Sequence, residues 1–104
     1  MRIVSANLNG IRSAHSKGFH DWLAKQRADV VCMQETKAQL ADLSDAIRAP
    51  AKWHTYFCDA EKKGYSGVAL FSRHPPDRVV TGFGWDEFDN EGRYVQADFG
   101  RLSV

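Results

Sequence analysis

Apolar residues come in short bursts separated by polar turns, and their period changes along the chain. Arg2 to Leu8 reads as a strand, closed by the turn signal Asn9-Gly10. Phe19, Trp22 and Leu23 then fall at i, i+3 and i+4, one face of a helix, with Ser16 or Ser13 as its N-cap. Val30 to Gln34 is a nearly continuous apolar run, the pattern of a strand covered on both faces. Leu40, Leu43 and Ile47 predict a short helix that must stop near Ala49, because Pro50 disfavours helical backbone in the residue before it. Trp53 to Cys58 and Val68 to Ser72 predict two strands, joined as a hairpin by the polar loop 59–67. Arg78 to Phe83 and Arg93 to Phe99 predict two more, linked by an acidic stretch from Asp86 to Gly92. Gly100-Arg101 reads as a hairpin turn, and Leu102-Ser103-Val104 begins another strand. A strand started there leaves an unpaired sheet edge, so the chain is expected to be a piece of something longer.

The first strand, the helix and the second strand form a crossover unit, which is nearly always parallel and right-handed. Parallel neighbours end on the same sheet edge, where open α/β sheets bind ligands. Asn7 closes the first strand and Glu35 the second, so the two are expected to sit together. Pleat alternation groups Val31, Met33 and Glu35 on one side, and Ile3, Ser5 and Asn7 together on the first strand. One carboxylate with one amide oxygen suits a hard cation such as Mg²⁺, which keeps most of its waters.

Composition narrows the class without naming a partner. With 104 residues, 43% hydrophobic and 26% charged, the chain is one soluble globular unit. A net charge of +1 gives no general attraction to nucleic acid or membrane, so such an argument rests on local clusters. No apolar run approaches a membrane span, and Met1-Arg2-Ile3-Val4 lacks the pattern of a signal peptide, which makes a cytoplasmic, intracellular protein the default. Cys32 and Cys58 are expected as free thiols in core strands. His15, His20, His54 and His74 are scattered, each read as a surface or packing residue. Trp22, Trp53, Trp85 and the phenylalanines are read as core.

Four strings now stand in order: Asn7-Leu8-Asn9-Gly10-Ile11-Arg12, Gln34-Glu35-Thr36-Lys37, Lys63-Gly64-Tyr65-Ser66-Gly67-Val68-Ala69 and Asp89-Asn90-Glu91-Gly92-Arg93. Together they resemble the N-terminal part of an exonuclease III-type abasic-site endonuclease, of the endonuclease/exonuclease/phosphatase superfamily. The resemblance implies an α/β fold, a four-layer α/β/β/α sandwich, with residues 1–104 as the N-terminal part of a single domain. It implies Mg²⁺-dependent hydrolysis (Mn²⁺ being the substitute) of the phosphodiester 5′ to an abasic site, and 3′-5′ trimming of duplex DNA by a full-length monomer. By resemblance, Glu35 is the principal metal carboxylate and Asn7 a metal-site or catalytic amide. Arg12 and Lys17 would touch DNA phosphates. Lys63, Gly64 and Tyr65 would form a loop laid into the duplex groove.

Asn9 departs from the pattern, since some relatives carry Asp there. The family's tyrosine, its Gly-Asp-x-Asn segment and its Asp-His pair would lie beyond residue 104, so this chain alone is expected to be inactive. Simpler readings stand beside these. Asn7 could cap its own turn. The basic loop could be an ordinary hairpin with a packed tyrosine. Lys37 could orient Glu35 or merely be solvated. Arg93 is read as available for an internal ion pair. Two rival functions remain: a sister phosphoesterase acting on a phosphoinositide or sphingolipid headgroup, and a non-catalytic DNA-binding half-domain.

Overall fold

A computed structural model describes residues 1–82, 84 and 89–104. The expected strand end at Phe83, Trp85 and residues 86–88 of the acidic stretch lie outside the described residues.

Strand β1 (Ile3–Asn7) pairs in parallel with β2 (Val30–Gln34), in the register Ile3 to Val30 through Asn7 to Gln34. Antiparallel strands β4 (Val68–Ser72) and β3 (His54–Cys58) continue the sheet, giving the order β1-β2-β4-β3. A second, antiparallel sheet holds β5 (Arg78–Thr81), β6 (Val95–Phe99) and β7 (Leu102–Ser103).

The pleat sorts the core into two layers. Val31 and Met33 of β2 pack with Ala69 and Phe71 of β4 and with Leu23 from the helical side. Their strand neighbours Val30 and Leu70 face the other way and meet Ala97 of the second sheet. Thus β2 is apolar at almost every position because both of its faces are covered. Among the described residues the order is helices, four-stranded sheet, three-stranded sheet. That accounts for three layers of the expected four. No helix among these residues is long and apolar enough to cross a membrane.

The crossover differs from its sequence reading. It holds two helices, α1 (Ile11–Ser16) and α2 (Phe19–Ala24), not one. Gly18 at φ 94° ends the first and opens the second, a left-handed step that glycine takes without the usual Cβ penalty. Neither serine is an N-cap. Gly10 and Gly18 hold those positions, and Ser16 ends α1, its hydroxyl donating to the Arg12 carbonyl at 3.1 Å. Trp22, at the edge of the α2 face and stacked on Phe19 at 5.9 Å between ring centroids, is 45% exposed, so the core assignment fails there, whereas Trp53 packs beside the core under the Arg73 guanidinium, 3.8 Å from its ring centroid. The second expected helix also divides, into a 3₁₀ turn (Leu40–Asp42) and α3 (Asp45–Arg48), with Ala49 closing it before Pro50.

Two of the histidines are not scattered. His15 Nδ1 lies 3.0 Å from His20 Nδ1 across the Gly18 break, and His20 Nε2 lies 3.1 Å from the Ile47 carbonyl oxygen. A carbonyl only accepts, so Nε2 of His20 carries the hydrogen and its Nδ1 accepts from His15. Burial pushes the His20 imidazole below its ordinary value; the Ile47 carbonyl and Asp21 oppose this, while His15 adds to it. The unfolded chain therefore binds the extra proton first. Stability should be complete above the unfolded value of about 6.5 and should fall as pH drops from there toward the lower folded value. The expected result is a lower melting temperature at about pH 5.5 than at about pH 7.5, with a smaller difference in His20→Gln. An equal pH response in that variant would remove His20 as the cause.

Candidate active site

The site is built where β1 and β2 end together. Leu8 N–H donates to the Gln34 carbonyl, Gly10 N–H to the Glu35 carbonyl and Ile11 N–H to the Thr36 carbonyl, at 2.8–2.9 Å. These bonds carry the parallel pairing past the strands and lock the two loops in register. On the other flank, Thr36 N–H donates to the Gly67 carbonyl at 3.1 Å and Lys37 N–H to the Ser66 carbonyl at 2.8 Å. The loop between β3 and β4 is thereby tied to the residues that follow Glu35.

Asn7 and Glu35 meet side chain to side chain, the amide Nδ2 donating to the carboxylate Oε2. Strand alternation does not account for this meeting. On β1, Ser5 shares its face with Asn7 and accepts from Gln34 Nε2 at 3.0 Å, so that face belongs to Gln34. Unbroken alternation would carry Glu35 to the helix-facing side with Met33. Instead Glu35 adopts φ 54°, a left-handed step past the end of β2, and its carboxylate comes round to Asn7. Asn9 (φ 48°), Lys37 (φ 51°) and Ser66 (φ 47°) are left-handed as well. Such conformations are costly for residues with a Cβ and gather at functional sites.

The remaining polar groups close a small network. Asn7 Oδ1 accepts from the Asn9 backbone N–H at 3.1 Å, so Asn7 caps its own turn and also holds the acid. Lys37 Nζ donates to Asn9 Oδ1 at 2.5 Å and stands 3.8 Å from Glu35 Oε1, which answers its sequence reading in favour of orientation. The Glu35 side chain remains 43% exposed. An open hollow of about 590 Å³ begins at Asn7 and Asn9 and passes Ser13 and Lys17 to Phe19 and Trp22. Lys17 therefore borders the same space as Asn7. Arg12 is exposed on α1.

Among the described residues no three His, Cys, Asp or Glu side chains gather as a metal cage. A hard cation that keeps its waters does not require one. Of the pair, Glu35 presents the oxygens that suit Mg²⁺: its carboxylate is accessible, with the Lys37 ammonium at 3.8 Å, whereas Asn7 turns its Nδ2 to Glu35 and its Oδ1 to the Asn9 N–H, so its oxygen would join a cation only after the amide turns over. Both cysteines are free, and burial pushes their thiols up, away from nucleophilic use.

Lys63 and Gly64 are exposed, Gly64 at φ 70°, and Tyr65 is 37% exposed at the tip of the same loop. The loop rests on the segment before β6. Glu61 N–H donates to the Asn90 carbonyl at 2.9 Å, and Ser66 Oγ to the Gly92 carbonyl at 3.5 Å. Arg93 forms its ion pair with Glu91 at 3.3 Å. What the sequence did not disclose is that both residues also reach Tyr65. No local pattern signals a contact over 26 or 28 positions.

Residues 4–104 match the model of the Endonuclease/Exonuclease/phosphatase family. The chain belongs to that family. Within it, the chain is 39% identical over 105 residues to an exodeoxyribonuclease of Bacillus subtilis, covering all of this chain and 40% of that protein. Among solved structures, an AP endonuclease from Archaeoglobus fulgidus superposes with a TM-score of 0.81 at 31% identity, covering 100% of this chain and 39% of that one. The 3′ phosphatase NExo from Neisseria, bound to a product DNA hairpin, matches at 0.81 and 26% identity with the same coverage. The chain thus spans about 40% of the length of the relatives it matches. The family is metal-dependent, and its exonuclease III-type members are similar to this chain over its whole length.

Proposed function

We propose that the protein is a Mg²⁺-dependent DNA-repair phosphodiesterase, nicking duplex DNA 5′ to abasic sites and trimming 3′ ends. In this reading residues 1–104 form the N-terminal part of one four-layer domain and supply one part of its active site. The observation that carries it is the meeting of Asn7 and Glu35, made possible by the left-handed backbone at Glu35. Its likeness to an exodeoxyribonuclease, to an AP endonuclease and to a 3′ phosphatase bound to DNA supports the choice of substrate.

Glu35 would hold the cation, joined by Asn7 once its amide turns Oδ1 toward the carboxylate, and the cation when bound would polarise a phosphoryl oxygen and offset charge on the leaving 3′ oxygen. Lys37, through Asn9 and Glu35, fixes the approach of the acid. Arg12, Lys17 and Lys63 bind backbone phosphates and set register without reading sequence. Tyr65 lies against the sugar–base surface of the groove.

The deciding experiment incubates the whole protein with an abasic duplex and, separately, with inositol phosphates, in Mg²⁺. Cleavage 5′ to the abasic site is expected. An intact duplex alongside phosphate release from the inositol phosphates would transfer the protein to the sister phosphoesterases. Arg12→Ala should weaken duplex binding uniformly across sequences and reduce the slope of log affinity against log salt by about one. An unchanged slope would take Arg12 off the phosphate path.

A further inference from the structure

We propose that Arg93 and Glu91 are positioning residues for nucleic-acid binding: they occupy the Tyr65 hydroxyl and leave the ring, not the hydroxyl, to meet the bound strand. The inference rests on the DNA reading above. A phenolic hydroxyl has one hydrogen to give and lone pairs to receive. Tyr65 gives its hydrogen to Glu91 Oε1 at 3.0 Å and receives from Arg93 Nη2 at 2.6 Å. The Arg93 fork closes on the same Glu91 oxygen, Nε and Nη2 each at 3.3 Å. The three side chains therefore form a closed triangle in which the hydroxyl is already engaged on both sides.

The rest of the loop tip has little to hold it. Lys62, Lys63 and Gly64 are exposed, and a Cβ placed on Gly64 would meet nothing within 4 Å. Lys62 Nζ lies 5.6 Å and the Arg93 guanidinium carbon 5.5 Å from the Tyr65 ring centroid. The tip is thus a ring flanked by two cations, held in place from its hydroxyl end. Holding it before binding spares the complex the entropy of ordering a loop. The Lys62 ammonium near the ring also suits a path followed by phosphates, whereas the Arg93 fork is engaged by Tyr65 and Glu91.

Double-variant binding separates this arrangement from direct contact between hydroxyl and DNA. In the whole protein, with a fluorescein-labelled duplex, Tyr65→Phe and Arg93→Met should each weaken binding about tenfold, the scale of one charge-assisted hydrogen bond. Both cut the same link, so the double variant should also lose about tenfold and not about a hundredfold. In Arg93→Met the loss should appear in KM and not in kcat, and Arg93→Lys should restore part of it. Hydrogen exchange over 59–67 should quicken in either single variant while β3 and β4 stay protected. Multiplying losses in the double variant would place the hydroxyl on the DNA and overturn the inference, as would unchanged exchange in the loop. A wild-type protein that fails to bind the duplex would instead overturn the functional reading, leaving the exchange result to judge the triangle alone.

Discussion

Glu35→Ala in the whole protein should reduce Mg²⁺-dependent cleavage of an abasic duplex by about two to three orders of magnitude. Loss of one preorganised electrostatic group at the reacting phosphate typically costs about 3–4 kcal/mol of barrier. The side chain is partly exposed and lies past the end of β2, so its removal opens no core cavity. Melting temperature should stay within a few degrees of wild type. Single-turnover cleavage, measured with DNA in excess of its dissociation constant, isolates the barrier from binding. Glu35→Gln is the sharper variant, because it keeps the shape and an acceptor oxygen while removing the charge. Cleavage by Glu35→Gln at the wild-type rate would end the case for a charged ligand at this position.

The second large effect is structural. Phe71 is fully buried, and its ring has Phe57 at 5.8 Å and Trp53 and His20 at 6.3 Å between centroids. It sits on β4 opposite Val31 and Thr55, where the helical layer meets the sheet. Phe71→Ala should cost about 3–5 kcal/mol, combining lost transfer energy with the void left among rings that cannot all collapse inward. Urea unfolding of the whole protein should show the midpoint falling at nearly constant m-value. A loss below about 1 kcal/mol would mean that the helical layer is not packed through this residue.

The strands were legible because burial enforces their pattern. The apolar run from Val30 to Gln34 is explained by coverage on both faces, and the hairpin 59–67 by the turn chemistry between two apolar segments. The helices were less legible. Phe19, Trp22 and Leu23 do share one helix, but Gly18 at φ 94° splits it from the turns before it, and Trp22 lies at the edge of the buried face, 45% exposed. The signal was the glycine, outweighed by the period. At the site, chain order placed Asn7 and Glu35 on one edge through the parallel crossover alone. Their contact was beyond any count of alternating positions, because it depends on one left-handed residue after the strand. The His15–His20 contact was hidden for a related reason: a period drawn over one continuous helix does not bring together residues flanking a break. The tie from Tyr65 to Glu91 and Arg93 joins two separate loops, and only tertiary structure brings those together.

Gly92, buried at φ 63°, passes so close to the start of the groove loop that an added Cβ would stand 2.5 Å from the Asp59 carbonyl carbon and 2.8 Å from the Cys58 oxygen. At that seam the backbones of the two segments fit against each other with no room for a side chain. Neither segment can be lengthened, shortened or transplanted from a cousin without the other. A chimera that exchanges 59–67 by itself would inherit a mismatched hinge, whereas one that exchanges 59–67 and 89–93 as a set would carry its reach across the groove intact.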